Sequence, residues 1–194
     1  QDNLEFYEVD LMDKEKLAQT VIKIKPEAVM HFAALCLVNE SMEQPELYFR
    51  NNVMGTLNLL EAMERASCKN LVFSSTCATY GESQYLPVDE KHPQSPTNPY
   101  GESKLMAEKE IIWFSKLKNL SYVIFRYFNV SGASGDGLIG DSKKPSQLLV
   151  QNAVRGALGI EEFKLTCPQV DTADGTPIRD YINVEDLAEA HVKA

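Results

Sequence analysis

Asn70-Leu71-Val72-Phe73-Ser74-Ser75 is a short apolar run that ends in two hydroxyls, and its reading decides the fold. Successive apolar residues without alternation suit a strand covered on both faces, as in a parallel sheet. Ala28-Val29-Met30-His31-Phe32-Ala33 has the same character upstream, and residues 121–127 predict another strand downstream. Leu4, Phe6 and Val9 predict one more over residues 4–9, followed by a helix N-cap at Asp13. Helical spacing separates these runs. Leu17, Val21 and Ile24 recur before Pro26, and Leu47, Val53, Leu57, Leu60 and Met63 mark a helix over residues 45–65. Residues 85–99 carry Pro87, Pro93, Pro96 and Pro99 and read as loop, with a helix over 100–118 behind them. Strands alternating with helices predict an α/β fold built on a doubly wound parallel sheet.

Beyond Asn129 the pattern changes. Residues 131–145 are rich in glycine and charge and predict a mobile loop or a crossing between domains. A helix over 147–158 offers Leu148, Leu149, Ala153 and Leu158 for packing. Asp174-Gly175-Thr176-Pro177 predicts a turn, residues 179–184 a strand and 185–193 a helix. The expected organisation is a main domain over residues 1–130 and part of a smaller region over 131–194.

Composition narrows the function classes. With 194 residues, 44% of them hydrophobic, the chain can bury a core. A net charge of −9 and a pI near 4.9 oppose a nucleic-acid or anionic-membrane partner, which is held mainly through phosphate neutralisation. No apolar run reaches the length of a spanning helix, and the polar, acidic start is no signal peptide, so a cytoplasmic protein is expected. Cys36, Cys68, Cys77 and Cys167 lack C-x-x-C spacing and read as reduced and structural; no metal site is expected. Asp136 and Asp141 lack the spacing of a calcium loop.

In a doubly wound sheet, ligands bind beyond the carboxyl ends of the strands. Those ends are Asp10, Phe32-Ala33-Ala34, Ser74-Ser75-Thr76 and Arg126-Tyr127-Phe128-Asn129, and Tyr100 opens the next helix on that side. Tyr100 and Lys104 are four residues apart, which places phenol and ammonium one helical turn apart on one face. A free phenol titrates near pH ~10, and a nearby cation favours its phenolate, so the pair suits a general base. The same spacing also occurs in helices whose tyrosine only packs and whose lysine is solvated. His31 reads as a satisfied core histidine, His92 and His191 as solvated or packing residues, and Arg126 as a structural ion-pair partner. Tyr80 reads either as a ring closing the turn at Gly81 or as part of the site, and Asp10 either as a helix-entry residue or as a cofactor contact.

Several motifs agree in order and spacing: Val9-Asp10-Leu11, His31-Phe32-Ala33-Ala34, Val38-Asn39-Glu40-Ser41, Asn51-Asn52-Val53-x-Gly55-Thr56 and Phe73-Ser74-Ser75-Thr76. Tyr80-Gly81, Asn98-Pro99-Tyr100-Gly101-x-Ser103-Lys104, Arg126-Tyr127-Phe128-Asn129, Asp174-Gly175-Thr176 and Arg179-Asp180-Tyr181 continue the series. On these residues the whole chain resembles the UDP-glucose 4-epimerases and their relatives among the extended short-chain dehydrogenases/reductases, the NAD-dependent epimerase/dehydratase family. The resemblance implies a Rossmann-like fold, NAD, a UDP-sugar substrate, a homodimer through the helices over 45–65 and 100–118, and reversible oxidation at C4 through a 4-keto sugar.

By the same resemblance, Tyr100 is the base, Lys104 lowers its pKa and binds the nicotinamide ribose, and Thr76 bonds the reacting oxygen. Asp10, Leu11, Phe32, Ala33, Ala34, Asn51, Ser74 and Tyr127 are the other cofactor contacts. Cys77, Ala78, Phe128, Asn129, Gln147, Leu148 and Arg179 join Thr76 and Tyr100 on the substrate side, Arg179 at the pyrophosphate. The chain departs from the family in three places. Cys36 stands at a usual lysine, Ser146-Gln147-Leu148 at the uridine-binding Asn-Asn-Leu, and residues 165–171 lack the usual aromatics. The family's glycine-rich turn is expected before Gln1 and its closing part after Ala194, so a fragment is expected. Three rival functions share the fold. A sugar-nucleotide dehydratase needs an acid and a carboxylate where Cys77-Ala78 stands, which disfavours it; a UDP-pentose 4-epimerase and a non-catalytic nucleotide-binding regulator are the remaining two.

Overall fold

A computed structural model describes residues 4–144, 148–164 and 169–194. They form two compact units, Gln1–Arg126 and Tyr127–Ala194.

The first unit opens without a strand. The strand expected over residues 4–9 is absent: Leu4 and Phe6 are each 85% exposed. No described strand lies alongside to complete a hydrogen-bond ladder, and alternation alone does not hold a strand. Helix α1 (Lys14–Ile24) starts where Asp13 accepts a bond from the Lys16 amide at 3.2 Å. Strand β1 (Val29–His31) leads to a short helix α2 (Val38–Glu43) that periodicity did not signal. The expected helix over 45–65 is three pieces: α3 (Pro45–Tyr48), a wide π turn (Phe49–Met54) and α4 (Gly55–Arg65). Within the π turn the Thr56 hydroxyl takes the Asn52 carbonyl at 2.7 Å, a local bond that competes with the regular ladder. Apolar spacing cannot report this, because the buried face continues through it.

Strand β2 (Asn70–Ser74), helix α5 (Pro99–Lys118) and strand β3 (Ser121–Phe125) complete the unit; β3 stops two residues short of its expected end. The three strands pair in parallel in the order β1-β2-β3, with His31 opposite Phe73 and Ser74 opposite Phe125. This is the expected α/β class with its parallel sheet. Leu17, Leu60, Met63, Phe73, Ala107 and Ile111 form its core between sheet and helices.

The second unit pairs β4 (Asn129–Ser131) with β5 (Tyr181–Asn183) in parallel. Helix α6 (Leu149–Ala157) starts two residues later than expected and buries none of its side chains; residues 145–147 lie outside the described ones. Helix α7 (Val184–Lys193) is capped by Asn183, which accepts from the Glu185 amide. The turn at Gly175 is as expected, with Asp174 accepting the Thr176 amide at 3.0 Å. Cys68 is buried as expected of a structural thiol, whereas Cys36 is exposed.

Candidate active site

Parallel pairing sends the carboxyl ends of β1, β2 and β3 to one edge, so Phe32-Ala33-Ala34, Ser75-Thr76 and Arg126 leave the sheet together. Phe32 is 58% exposed there. Leu11 is fixed to α4, and Asp10 to its own turn. The Asn58 amide donates to the Leu11 carbonyl at 2.9 Å, and the Asp10 carboxylate accepts from the Met12 amide at 2.8 Å.

Tyr100 lies in the first turn of α5. Asn98 caps that helix by accepting the Gly101 amide at 2.8 Å, and Pro99 supplies a preset first residue. The turn is pressed onto the strand end that carries Thr76: a Cβ added at Gly101 would lie 2.6 Å from the Ala78 carbonyl oxygen. Thr76 itself caps the turn Cys77–Thr79, accepting from the Ala78 amide at 3.1 Å, and is buried. The Tyr100 ring meets the Tyr48 ring edge-on, with centroids 6.4 Å apart. The Tyr48 hydroxyl holds the loop after β1: it accepts the Leu37 amide at 3.0 Å and donates to Glu40 at 2.6 Å.

Lys104 follows one turn after Tyr100 and is 3% exposed. Its ammonium rests over the Phe73 ring, 4.1 Å from the centroid, and makes no hydrogen bond to a described residue. Burial pushes it down to about 8, against the pull of Glu108 and Cys36. His31, behind it on β1, is driven down to about 3 by burial and by the Lys104 charge, so it is neutral. Its Nε2–H donates to Thr56 Oγ1 at 3.2 Å, since that hydroxyl spends its own proton on Asn52. The core-histidine reading holds. His92 is likewise buried, accepting the Gln84 amide at 2.9 Å and donating to the Pro93 carbonyl at 2.8 Å, a packing rather than a solvated residue.

Two organising residues were not singled out by sequence reasoning. Asn52 donates to the Leu35 carbonyl and to Ser103 Oγ, both at 3.0 Å, and accepts the Leu35 amide at 2.9 Å. Asn51, expected as a cofactor contact, donates to Asn52 Oδ1 at 3.0 Å. Glu108 accepts from Ser75 Oγ, from Gln94 at 3.1 Å and from the Arg126 fork at 2.7 to 3.1 Å. Arg126 is the ion-pair partner expected of it, and Tyr80 lies under its guanidinium with centroid 5.4 Å away. The signal present in the sequence was a polar residue in register with buried neighbours: Asn52 beside Val53, and Glu108 four residues after Lys104.

The remaining expected residues belong to the second unit. Tyr127 stacks edge-on against His191 at 6.2 Å, Phe128 is exposed, and the Asn129 amide donates to the Asp180 carbonyl at 2.9 Å. Arg179 is exposed and donates to the Ile178 carbonyl at 2.8 Å. Leu148 lines an apolar cavity of about 940 Å³ with Val130, Ile139, Val154 and Ala188. Gln147 lies outside the described residues. Among the described residues no group of three metal-ligating side chains occurs, and no helix is long and apolar enough to cross a membrane.

Comparison with known proteins follows the same lines. Residues 1–194 match the family described as Epimerase, NAD dependent epimerase/dehydratase family. UDP-glucose 4-epimerase of Lactobacillus helveticus is 46% identical over 190 residues, 97% of this chain and 58% of that protein. Putative UDP-arabinose 4-epimerase 4 of Arabidopsis thaliana is 43% identical over 197 residues, 98% of this chain and 45% of the relative. The crystal structure of UDP-glucose 4-epimerase from Brucella ovis in complex with NAD aligns with a TM-score of 0.91 at 45% identity, covering 97% of this chain and 58% of that one. The chain spans a little over half the length of the UDP-glucose 4-epimerases it matches.

Proposed function

The chain belongs to the NAD dependent epimerase/dehydratase family, and from that premise we propose that the protein interconverts the C4 epimers of a UDP-sugar, UDP-glucose and UDP-galactose first. The observation that carries this reading is Lys104: a buried ammonium one helical turn from Tyr100, with no hydrogen-bond acceptor among the described residues. Its three N–H groups are not used by described residues and are available to a ligand's acceptors.

Ribose hydroxyls are suitable acceptors, and the exposed Phe32 with Ala33 and Ala34 leaves the sheet edge open beside them, so the residues fit NAD. Lys104, Asp10, Leu11, Phe32, Ala33, Ala34, Asn51, Ser74 and Tyr127 hold it in this reading. Bound NAD supplies the redox equivalents at C4. Tyr100 takes the proton of the 4-hydroxyl and returns it; the Lys104 charge favours the phenolate that does so. Thr76 orients the reacting oxygen through its hydroxyl. In this reading Cys77, Ala78, Phe128, Asn129, Gln147, Leu148 and Arg179 are the substrate contacts. Residues 1–130 form the NAD-binding part and 131–194 part of the substrate-binding region. The exposed Trp113 and Leu117 on α5 support a homodimer, and a cytoplasmic location belongs to the same reading.

A UDP-pentose is the second reading, favoured by relatives named UDP-arabinose 4-epimerase at 43% identity. Incubation with UDP-galactose and, separately, UDP-arabinose, with product analysis, decides between them. Tyr100→Phe is expected to lower turnover by about 10²–10⁴-fold. No epimer from the parent protein with either sugar, or undiminished turnover in the variant, overturns the proposal.

A further inference from the structure

Glu108 is 1% exposed, yet it carries a carboxylate into the first unit's interior. Its bonds go to three separate elements. Ser75, one residue before Thr76 at the end of β2, donates to it; Gln94 of the proline-rich loop donates at 3.1 Å; Arg126, directly after β3, donates through Nε and Nη2, the latter at 2.7 Å. Arg126 in turn donates to the Tyr80 hydroxyl at 3.4 Å and lies over the Tyr80 ring, beyond the turn that Thr76 caps. A carboxylate with this many donors is held in one position. It also sits four residues after Lys104 on α5, on the same helical face.

We propose that Glu108 is a positioning residue for this centre: one carboxylate fixes the Thr76 strand end through Ser75, fixes Arg126 over Tyr80, and places a negative charge one turn from Lys104. Several groups lie around Lys104. His31 on β1 is neutral, Phe73 on β2 offers its ring face, Cys36 lies in the loop after β1, and Tyr100 and Glu108 share its helix. Of these, burial is the main influence lowering the ammonium and Glu108 is the first that opposes it. Without Glu108, Lys104 loses much of the charge that favours the Tyr100 phenolate near neutral pH. The catalytic meaning of the inference rests on the epimerase reading above, but its test does not depend on turnover.

The test is the titration of Lys104 itself, followed through the 13Cε resonance of labelled lysine and assigned by its loss in Lys104→Met. In Glu108→Gln the midpoint is expected to fall by about one unit or more, as for the loss of an opposite charge close by. In Glu108→Asp, which keeps the charge, the midpoint stays near the parent value. A purely structural carboxylate would change the unfolding free energy and leave the midpoint unmoved in Glu108→Gln, and that result overturns the proposal. Should Glu108→Gln fail to fold, Glu108→Gln/Arg126→Met is compared with Arg126→Met alone: a lower Lys104 midpoint in the double variant is expected, and equal midpoints overturn the proposal. A lowered midpoint with no epimerase activity in the parent protein leaves Glu108 in place and sinks only the functional reading.

Discussion

Arg126 Nη2 lies 2.7 Å from Glu108 Oε2, with the Arg126 side chain 18% exposed and that of Glu108 1% exposed. Both charges have left most of their water, so each depends on the other. Pairs of this kind add little over a well-packed apolar substitute, but breaking one leaves a stranded charge. Arg126→Met is therefore expected to cost about 3–5 kcal/mol in urea unfolding. Adding Glu108→Gln to it recovers part of the loss. Equal stability of parent and single variant would contradict the pairing.

Gly101 has no room for a side chain. A Cβ there would sit 2.6 Å from the Ala78 carbonyl oxygen, a backbone atom that cannot rotate away. Gly101→Ala is expected to lose about 1–3 kcal/mol through forced separation of α5 from the Cys77–Thr79 turn. Because that separation moves Tyr100 relative to Thr76, turnover falls more than stability alone explains. The measurements are thermal unfolding and turnover at a temperature where the variant remains folded.

Asn52 joins the loop after β1 to α5 through Leu35 and Ser103. Asn52→Leu leaves the Leu35 amide and carbonyl without their partner, at about 1–3 kcal/mol for each buried group left unsatisfied. The Leu35 amide is expected to exchange with deuterium faster in the variant, while amides of α1 keep their protection. Unchanged exchange at Leu35 would contradict the role given to Asn52.

Lys104 weakens the fold that holds it. The folded protein releases its proton at about 8 and the ordinary value is 10.5, so between these pH values the unfolded chain binds more protons. Stability attributable to this group therefore rises with pH through that window, by at most about 3 kcal/mol. Below pH 8 the burial cost is fully present. Lys104→Met is expected to be more stable than the parent at pH 7 and to lose activity, with a flatter dependence of unfolding free energy on pH between 8 and 10.5. Destabilisation of Lys104→Met at pH 7 would count against the burial argument.

The parallel α/β class was legible in the chain, because consecutive apolar runs such as Asn70–Ser74 are stable only when covered on both faces. The placement of Tyr100 and Lys104 one turn apart on one helix was also legible, since helical spacing is a local property. The ion-pair role of Arg126 and the core role of His31 were legible for the same reason: each residue type conflicted with its apolar surroundings and so required a partner.

The rest depends on packing between distant segments. The alternation over residues 4–9 gave no strand, since a ladder needs a neighbour that local sequence cannot supply. The work of Asn52 lies in its bonds to Leu35 and Ser103, the latter 51 positions away in the chain. Glu108 meets Ser75 across 33 positions, and no spacing rule connects them. Periodicity reports which face of an element is buried. Which polar group a buried face meets depends on how elements pack, and that is where this site acquires its charge and its alignment.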